Sequence, residues 1–402
     1  MPSHNYMEKL LEGVDVEWKK LKDFASFSQG IQVDISSQFL GKKDGFVRFL
    51  RIVDFVNDNE PPRYIENPGQ RYIKNEGELV MIRYGARAAG KVFICNNGAI
   101  ANNMFKITLK SEKITNKYLY TYLSQSKIYK SLNSKGGAST MPAITFGQIG
   151  AVEIPIPPLK VQEEIVRILD TFTELTTELT TELTNRKKQY TYYRDKLLTF
   201  NDDEVEWKTL GEVTIPTKNI KWSEINSYHK YIDLSSVCRE TNSILEVTEI
   251  NSENAPSRAK KLVLKDDVIF ATTRPTQQRL CLISDNFAGD VASTGYCVLR
   301  ANKEFVLPKW IFYFITTSDF KNYVEENQSG SAYPAISDSK VKEFKIPIPS
   351  LVAQEKIVSI LDKFDTLTTS ISEGLPKEIE LRKKQYEYYR DLLLSFPKVE
   401  SV

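Results

Sequence analysis

Apolar residues at Ile165, Ile168, Phe172, Leu175 and Leu179 step by threes and fours, a spacing that lines one narrow seam of an α-helix. After a slip the seam resumes at Leu183, Tyr190, Tyr193 and Leu197. The slip comes from the tetrapeptide LTTE, whose leucines Leu175, Leu179 and Leu183 step by four, so the stripe drifts around the helix as a stutter does. A second helix repeats the pattern at Ile357, Ile360, Phe364, Leu367 and Ile371, but Gly374 and Pro376 follow it. Proline inside a helix costs about 3 kcal/mol, so a kink or short break is predicted there.

These helices belong to a longer repeat. Ile154 to Phe200 reads IPIPPLKVQEEIVRILDTFTELTTELTTELTNRKKQYTYYRDKLLTF, and Ile346 to Phe396 reads IPIPSLVAQEKIVSILDKFDTLTTSISEGLPKEIELRKKQYEYYRDLLLSF. Ile154 and Ile346 are 192 apart, whereas Arg186 and Arg382 are 196 apart, so the second copy carries four extra residues inside its helix. Each helix follows a divergent stretch opening on VEWK, with Trp18 and Trp207 marking the two starts. The chain is two similar halves in tandem.

Within the first half, GFVRFLRIVDF, ELVMIRYG, KVFICNNGAI and NMFKITLK are short β-branched and aromatic runs punctuated by Gly and Asn, which predict strands of a mainly β unit. A leader helix is expected around Tyr6 to Leu11, and one helix over NKYLYTYLSQSKIYKSLNSK, with PKWIFYFITTSDFKNYVEEN as its counterpart. In the second half YHKYIDLSSV, LVLKDDVIFATTRP, QRLCLISD and GYCVLRA are the strands. Small-residue loops close both stretches, GGASTMPAITF and SGSAYPAISDS, with Pro142 and Pro334 in register. The terminal RKKQYxYYRDxLL reads either as a basic and aromatic nucleic-acid element or, preferred here, as Tyr190, Tyr193 and Leu197 packing the seam while Lys and Arg are solvated.

Composition adds bounds. With 402 residues, 41% apolar and 26% charged, the chain can bury two or three cores beneath a polar surface. It has no run of about 18 apolar residues, and MPSHNYMEKLLEG is too polar for a secretory segment, so a cytoplasmic protein without membrane contact is expected. Cys95, Cys238, Cys281 and Cys297 lack CxxC spacing and fall on expected strands, which fits buried reduced thiols. The net charge of +2 hides an asymmetry: Met81 to Gly150 holds ten Lys and Arg against the single acid Glu112, a local +9. That is a footprint for a polyanion or a solvated basic face. Val205 to Lys345 balances at 18 basic and 18 acidic residues, so any footprint there is local.

Catalytic chemistry is hard to place. His4 and His229 are the only histidines, and the chain lacks a GxxxxGK[ST] loop, GxGxxG after a strand, HExxH, and the glycine-rich loop or NPPY tetrapeptide of an amino-methyltransferase. No catalytic, metal-ligating or cofactor-binding residue is therefore assigned. Arg and Gln suit bidentate contacts with guanine and adenine edges, and ATTRPTQQRL crowds Arg274, Gln277, Gln278 and Arg279 into one turn, which otherwise reads as an exposed polar turn. Candidate DNA-binding residues are Arg83, Arg87, Lys91, Asn102, Asn103, Ser139 and Thr140 in the first half, and Arg274, Gln277, Gln278, Arg279 and Ser331 in the second.

Two variable stretches opening on VEWKxL, each ending on [ST]xxPAI and IPIPxLxxQExIVxILDxF and trailed by RKKQYxYYRDxLL, resemble the specificity subunit of a type I restriction-modification system over nearly the whole chain. The resemblance implies an α+β fold: two tandem, mixed and mainly β target recognition domains, residues 1–153 and 201–345, separated by two long antiparallel coiled-coil helices, residues 154–200 and 346–402, in a pseudo-twofold repeat. Each domain would read one half of a bipartite target on double-stranded DNA. The helices, with Ile165, Ile168, Phe172, Leu175, Leu179, Ile357, Ile360, Phe364, Leu367 and Ile371 on their seams, would set the spacer and dock two methyltransferase subunits. Those partners would hold S-adenosylmethionine and methylate adenine, restriction and motor subunits would join for cleavage, and the number of LTTE units would set the gap. Competing readings are a self-contained methyltransferase or nuclease, and a DNA-binding repressor or coiled-coil scaffold without catalytic partners.

Overall fold

The structure is a computed structural model that describes residues 9–57, 59–85, 88–134, 143–201, 203–370 and 372–397. They gather into two units, Met1–Thr177 with Leu381–Val402, and Glu178–Glu380.

In the first unit β1 (Glu17–Lys20), β2 (Ala25–Gln29), β3 (Phe46–Leu50), β4 (Arg63–Glu66), β5 (Ile73–Lys74), β6 (Leu79–Ile82), β7 (Val92–Ile94), β8 (Gly98–Ile100) and β9 (Met104–Leu109) precede helices α1 (Asn116–Leu123), α2 (Ser126–Ser134) and α3 (Phe146–Gly150) and strand β10 (Glu153–Ile156). The sheets run β2-β9-β6-β7, β4-β3-β8-β5 and β1-β10. The run LVMI explains the layering. Leu79 and Met81 enter the core shared with the helices, while Val80 and Ile82 enter the core beneath the second sheet. With period two, β6 is apolar on both faces because both are covered.

The second unit repeats this plan. Helix α4 (Leu159–Leu197) leads into β11 (Glu206–Thr209), β12 (Thr214–Ile215), β13 (His229–Ile232), β14 (Thr248–Ile250), β15 (Ala259–Leu262), β16 (Val268–Ala271), β17 (Leu280–Leu282), β18 (Val291–Ser293) and β19 (Tyr296–Ala301). Helices α5 (Pro308–Phe314), α6 (Ser318–Asn327) and α7 (Asp338–Glu343), strand β20 (Lys345–Ile348) and helices α8 (Leu351–Thr369) and α9 (Gly374–Leu393) follow, the second unit taking α4 from Glu178 and α9 as far as Glu380. Its sheets are β12-β19-β16-β17, β14-β13-β18-β15 and β11-β20. VIFA repeats the LVMI logic, with Val268 and Phe270 in one core and Ile269 and Ala271 in the other.

Each unit is closed by helical residues distant in sequence. In the first, Phe172 of α4 stacks on Tyr389 of α9 at 5.3 Å, and Leu393, Leu394 and Phe396 join the core of Ile165, Ile168 and Leu169. In the second, Tyr190 and Tyr193 of α4 stack on Phe364 of α8 at 6.4 and 6.2 Å, and Leu198 enters the core of Trp310 and Leu361.

Several expectations need correction. The single helix after β9 is two, α1 and α2, and its counterpart is α5 and α6; Thr317 accepts a hydrogen bond from the Phe320 amide and so starts a new helix. GFVRFLRIVDF is a strand only to Leu50; Arg51 and Asp54 then cap a 3-10 turn over Ile52–Phe55. Of the leader helix, residues 9–11 are described and helical. The Gly374 and Pro376 insertion does break the helix, since α8 ends at Thr369 and α9 starts at Gly374. Gly374 has φ +75°, and a Cβ there would lie 2.6 Å from the Thr366 carbonyl oxygen. On the seams, Ile165, Ile168 and Phe172 are buried, Leu175, Leu179, Ile357, Phe364 and Leu367 half-buried, and Ile371 lies outside the described residues. Ile360 leaves the seam at 36% exposure while Leu361 is buried, so the inward face of α8 lies one position over. The arginines are not all solvated: Arg194 and Arg390 are buried, held to Asp195 and Asp391 at 2.7 and 3.1 Å.

Candidate nucleic-acid interface

The second unit presents its polar turn at the C-terminal end of β16, where the buried run gives way to Thr272–Arg279. Two neighbouring loops stitch this turn in place. The Thr272 amide donates to Gly295 O at 2.8 Å, the Ile336 amide to Thr272 O at 2.9 Å, and the Arg274 amide to Pro334 O at 2.7 Å. The loop from Ser329 to Ala335 is closed by reciprocal backbone hydrogen bonds of 2.8 and 2.9 Å. Fixed this way, the turn holds two non-glycine residues in the left-handed region, Arg274 and Gln278, each at φ 50°. Such backbone costs on the order of 1 kcal/mol or more per residue and persists where surroundings over-determine it, commonly at functional sites.

Within the turn the side chains divide. Arg274 is exposed, its guanidinium 5.4 Å from the ring of Tyr333, itself 70% exposed. Ser331 is exposed on the same loop as Tyr333. Arg279 turns inward, donating to Val237 O and, at 3.3 Å, to Gln277 Oε1. Gln278 donates to Pro275 O at 3.3 Å. The expected cluster is thus an exposed Arg274, Ser331 pair and a half-buried group of Gln277, Gln278 and Arg279 that builds the turn. Tyr333 was not singled out by the sequence; the signal was available, because it replaces Met141 in the aligned loop.

The first unit uses the same end of the same strand. The Arg83 amide donates to Asn103 O at 2.8 Å, and the Ile144 amide to Arg83 O at 2.9 Å, matching the pattern at Thr272. Arg83 lies 4.9 Å from the Tyr84 ring, and Arg83 Nε and Asn103 Oδ1 are buried without a hydrogen-bond partner among the described residues. Asn102 donates to Gln32 Oε1 at 3.0 Å and accepts at its carbonyl from Gln29 at 3.1 Å, and Lys91 is exposed. Arg83, Asn102 and Asn103 are therefore brought together. Arg87, Ser139 and Thr140 lie outside the described residues. The +9 stretch is not one face: Lys113 and Lys117 pair with Glu17 and Asp170, at 4.0 and 3.4 Å, beside the β1 and α4 elements.

Other chemistry is structural. Burial pushes the Cys281 and Cys297 thiols up to about 12, so both stay protonated and inert at neutral pH. Cys95 is buried just past β7, but Cys238 is half-buried in a turn and donates to Glu240 at 3.1 Å, so not every cysteine lies on a strand. His229 engages Gly289 O and Ser227 Oγ with its two ring nitrogens, at 2.9 and 2.8 Å. Among the described residues no group of three or more His, Cys, Asp or Glu is placed to hold a metal ion, and no helix is long and apolar enough to cross a membrane.

Comparison with known proteins agrees with this duplicated arrangement. The type I restriction modification DNA specificity domain matches twice, over residues 13–188 and 203–381. The chain is 32% identical to the EcoR124I/EcoR124II type I restriction enzyme specificity subunit of Escherichia coli, with 100% of both chains covered. It is 29% identical to the EcoprrI type I restriction enzyme specificity subunit of Escherichia coli, covering 93% of each. The crystal structure of a type I restriction-modification S subunit from M. genitalium shares the fold at a TM-score of 0.51 and 16% identity, over 97% of this chain and 98% of that one. The chain belongs to the specificity subunits of type I restriction-modification systems and carries two DNA recognition domains.

Proposed function

We propose that each recognition domain reads one half of a bipartite duplex target, that the helices set the spacer, and that two methyltransferase subunits dock on them. The observation that carries the reading is the duplicated loop end: the same backbone stitching presents Arg83, Asn102 and Asn103 in one unit and Arg274, Ser331 and Tyr333 in the other. Arg87, Lys91, Ser139 and Thr140 would complete the first surface, with Gln277, Gln278 and Arg279 shaping the second. Arginine forks and amides suit purine edges in the major groove, and clustered positive charge suits the phosphates. S-adenosylmethionine would be held by the methyltransferase partners, with restriction subunits joining to cleave; this chain would contribute recognition and geometry, in the cytoplasm, where the DNA is.

Replacing Arg274 tests base reading. Arg274→Ala should cost ~1–3 kcal/mol of binding to the cognate sequence and relax one position of one half-site. Arg274→Gly should lose the same binding yet unfold ~1 kcal/mol later than the alanine variant, because glycine carries no penalty at φ 50°. Equal losses on cognate and random DNA in a binding titration would make Arg274 a phosphate contact instead.

The docking surface also has a duplicated mark. Tyr192 and Tyr388 are 62% and 58% exposed, each edge-on to its neighbour, Tyr193 or Tyr389, at 5.3 and 5.2 Å. Exposed tyrosines on a helix are strong candidates for interface anchors, worth about 2 kcal/mol or more when truncated. Alanine at either position should weaken one methyltransferase subunit in co-purification, and alanine at both should weaken two; two-to-one assembly unaffected by the double variant would reject these tyrosines as anchors.

A further inference from the structure

The joint between recognition domain and long helix carries the same buried amide in both units. Gln162, 0% exposed in the first turn of α4, accepts from the Thr115 amide at 3.0 Å and donates to Lys113 O and Pro157 O at 2.7 and 2.8 Å. Gln354, 0% exposed in α8, accepts from the Leu307 amide at 2.9 Å and donates to Phe305 O and Pro349 O, both at 2.9 Å. A primary amide offers two N–H donors and an acceptor oxygen. Here both donors and the acceptor are spent on backbone, tying the loop before the domain helix to the proline linker and to the start of the long helix.

The linker is also held along its length as a strand, Glu153–Ile156 pairing antiparallel with β1 and Lys345–Ile348 with β11. Prolines have no N–H and a fixed φ, so at the prolines of IPIP only the carbonyl is left to grip. A second tie uses the next such carbonyl in each unit: Tyr118 Oη donates to Pro155 O at 3.1 Å, and Trp310 Nε1 to Pro347 O at 2.9 Å. The aromatic differs between the units while the glutamine does not. A stiff linker paired as a strand and gripped at both of its proline carbonyls leaves little freedom for the domain to swing about its helix.

We propose that Gln162 and Gln354 are positioning residues that fix the bearing of each recognition domain on its long helix, and thereby restrict the spacer lengths the protein accepts. The inference rests on the helices acting as the ruler. A residue that only stabilises the fold would change the melting temperature and leave spacing strict. A residue that sets the bearing changes which spacers are tolerated and leaves both half-site sequences alone.

The test uses the full chain co-expressed with its methyltransferase subunits and long-read mapping of methylated adenines. Gln354→Met and Gln162→Met keep the side-chain length and remove every hydrogen bond of the amide. Each should bring methylation at sites one base pair longer or shorter up at least tenfold from the wild-type level, with both half-site sequences unchanged. Val358→Ala, which thins the same helix face without touching the amide, should lower the melting temperature and leave spacing strict. Strict spacing in folded methionine variants, or equal relaxation in Val358→Ala, overturns the proposal. If the methionine variants fail to fold, Gln162→Glu and Gln354→Glu, which keep the acceptor for Thr115 and Leu307, supply the reading; failure of all four to fold makes the amide a folding element and also overturns it. Should deletion of one LTTE unit fail to move the spacer at all, the ruler reading itself is what has failed.

Discussion

Deletion of one LTTE unit, Leu179 to Glu182, shifts methylation to sites whose half-sites stand closer together, while the half-site sequences stay as they are. The helix makes this expectation concrete. Helix α4 runs unbroken for 39 residues, and removing four shortens it by ~6 Å, on the order of two base-pair steps of ~3.4 Å. Four residues also make one helical turn plus roughly 40° of rotation, so the apolar stripe is nearly restored after the cut. The threonines do not resist the change, because they satisfy themselves locally: Thr176, Thr177 and Thr184 donate to the carbonyls of Phe172, Thr173 and Thr180 at 2.8 to 2.9 Å. At the original spacing one domain would face the wrong base pairs. With each mismatched pair costing ~1–3 kcal/mol, loss of a half-site of several pairs amounts to about 4 kcal/mol or more, close to a 10³-fold fall in occupancy. Methylome mapping reads this directly. An altered half-site sequence at unchanged spacing would reject the helix as the measuring element.

Trp310→Ala should disable the second recognition domain. Trp310 is fully buried, donates to Pro347 O at 2.9 Å and meets Phe200 and Phe314 at 6.1 and 5.1 Å. Truncating a buried tryptophan costs ~3–5 kcal/mol, and the orphaned carbonyl adds to it. Against a domain stability of ~5–15 kcal/mol, the second unit becomes marginal at growth temperature. The expected outcome is protease sensitivity within residues 206–348 and loss of one half-site contact in DNA footprints. Trp310→Phe keeps a ring in place and should lose less. Its repeat partner gives a mild control: Tyr118→Phe removes one hydrogen bond, to Pro155 O at 3.1 Å, for about 1 kcal/mol. Equal protease resistance of Trp310→Ala and the parent would contradict the account of this core.

The organisation of the chain was legible because its strongest signals are local and duplicated. Short continuous apolar runs such as LVMI and VIFA, bounded by polar turn residues, mark their strands without knowledge of a partner, and the Gly374 and Pro376 insertion foretells the break before α9. What stayed hidden depends on partners far along the chain. The stripe of α8 is apolar at Ile360 and at Leu361, and only the packed structure shows that Leu361 turns inward. Arg194 and Arg390 look like solvated cations until Asp195 and Asp391 and the stacked Tyr190 and Tyr386 rings enclose them. Arg279 looks like a base reader by residue type, but its guanidinium is committed to Val237 O. Tyr333 gained meaning only when its loop was seen stitched to the Arg274 turn.

Long-read methylation mapping of cells that carry this chain with its methyltransferase partner tests the central claim most directly. The account predicts one split motif, two short specific blocks separated by a fixed run of unread bases, with a modified adenine in each block. A single uninterrupted motif, or two blocks at freely varying distance, would contradict it.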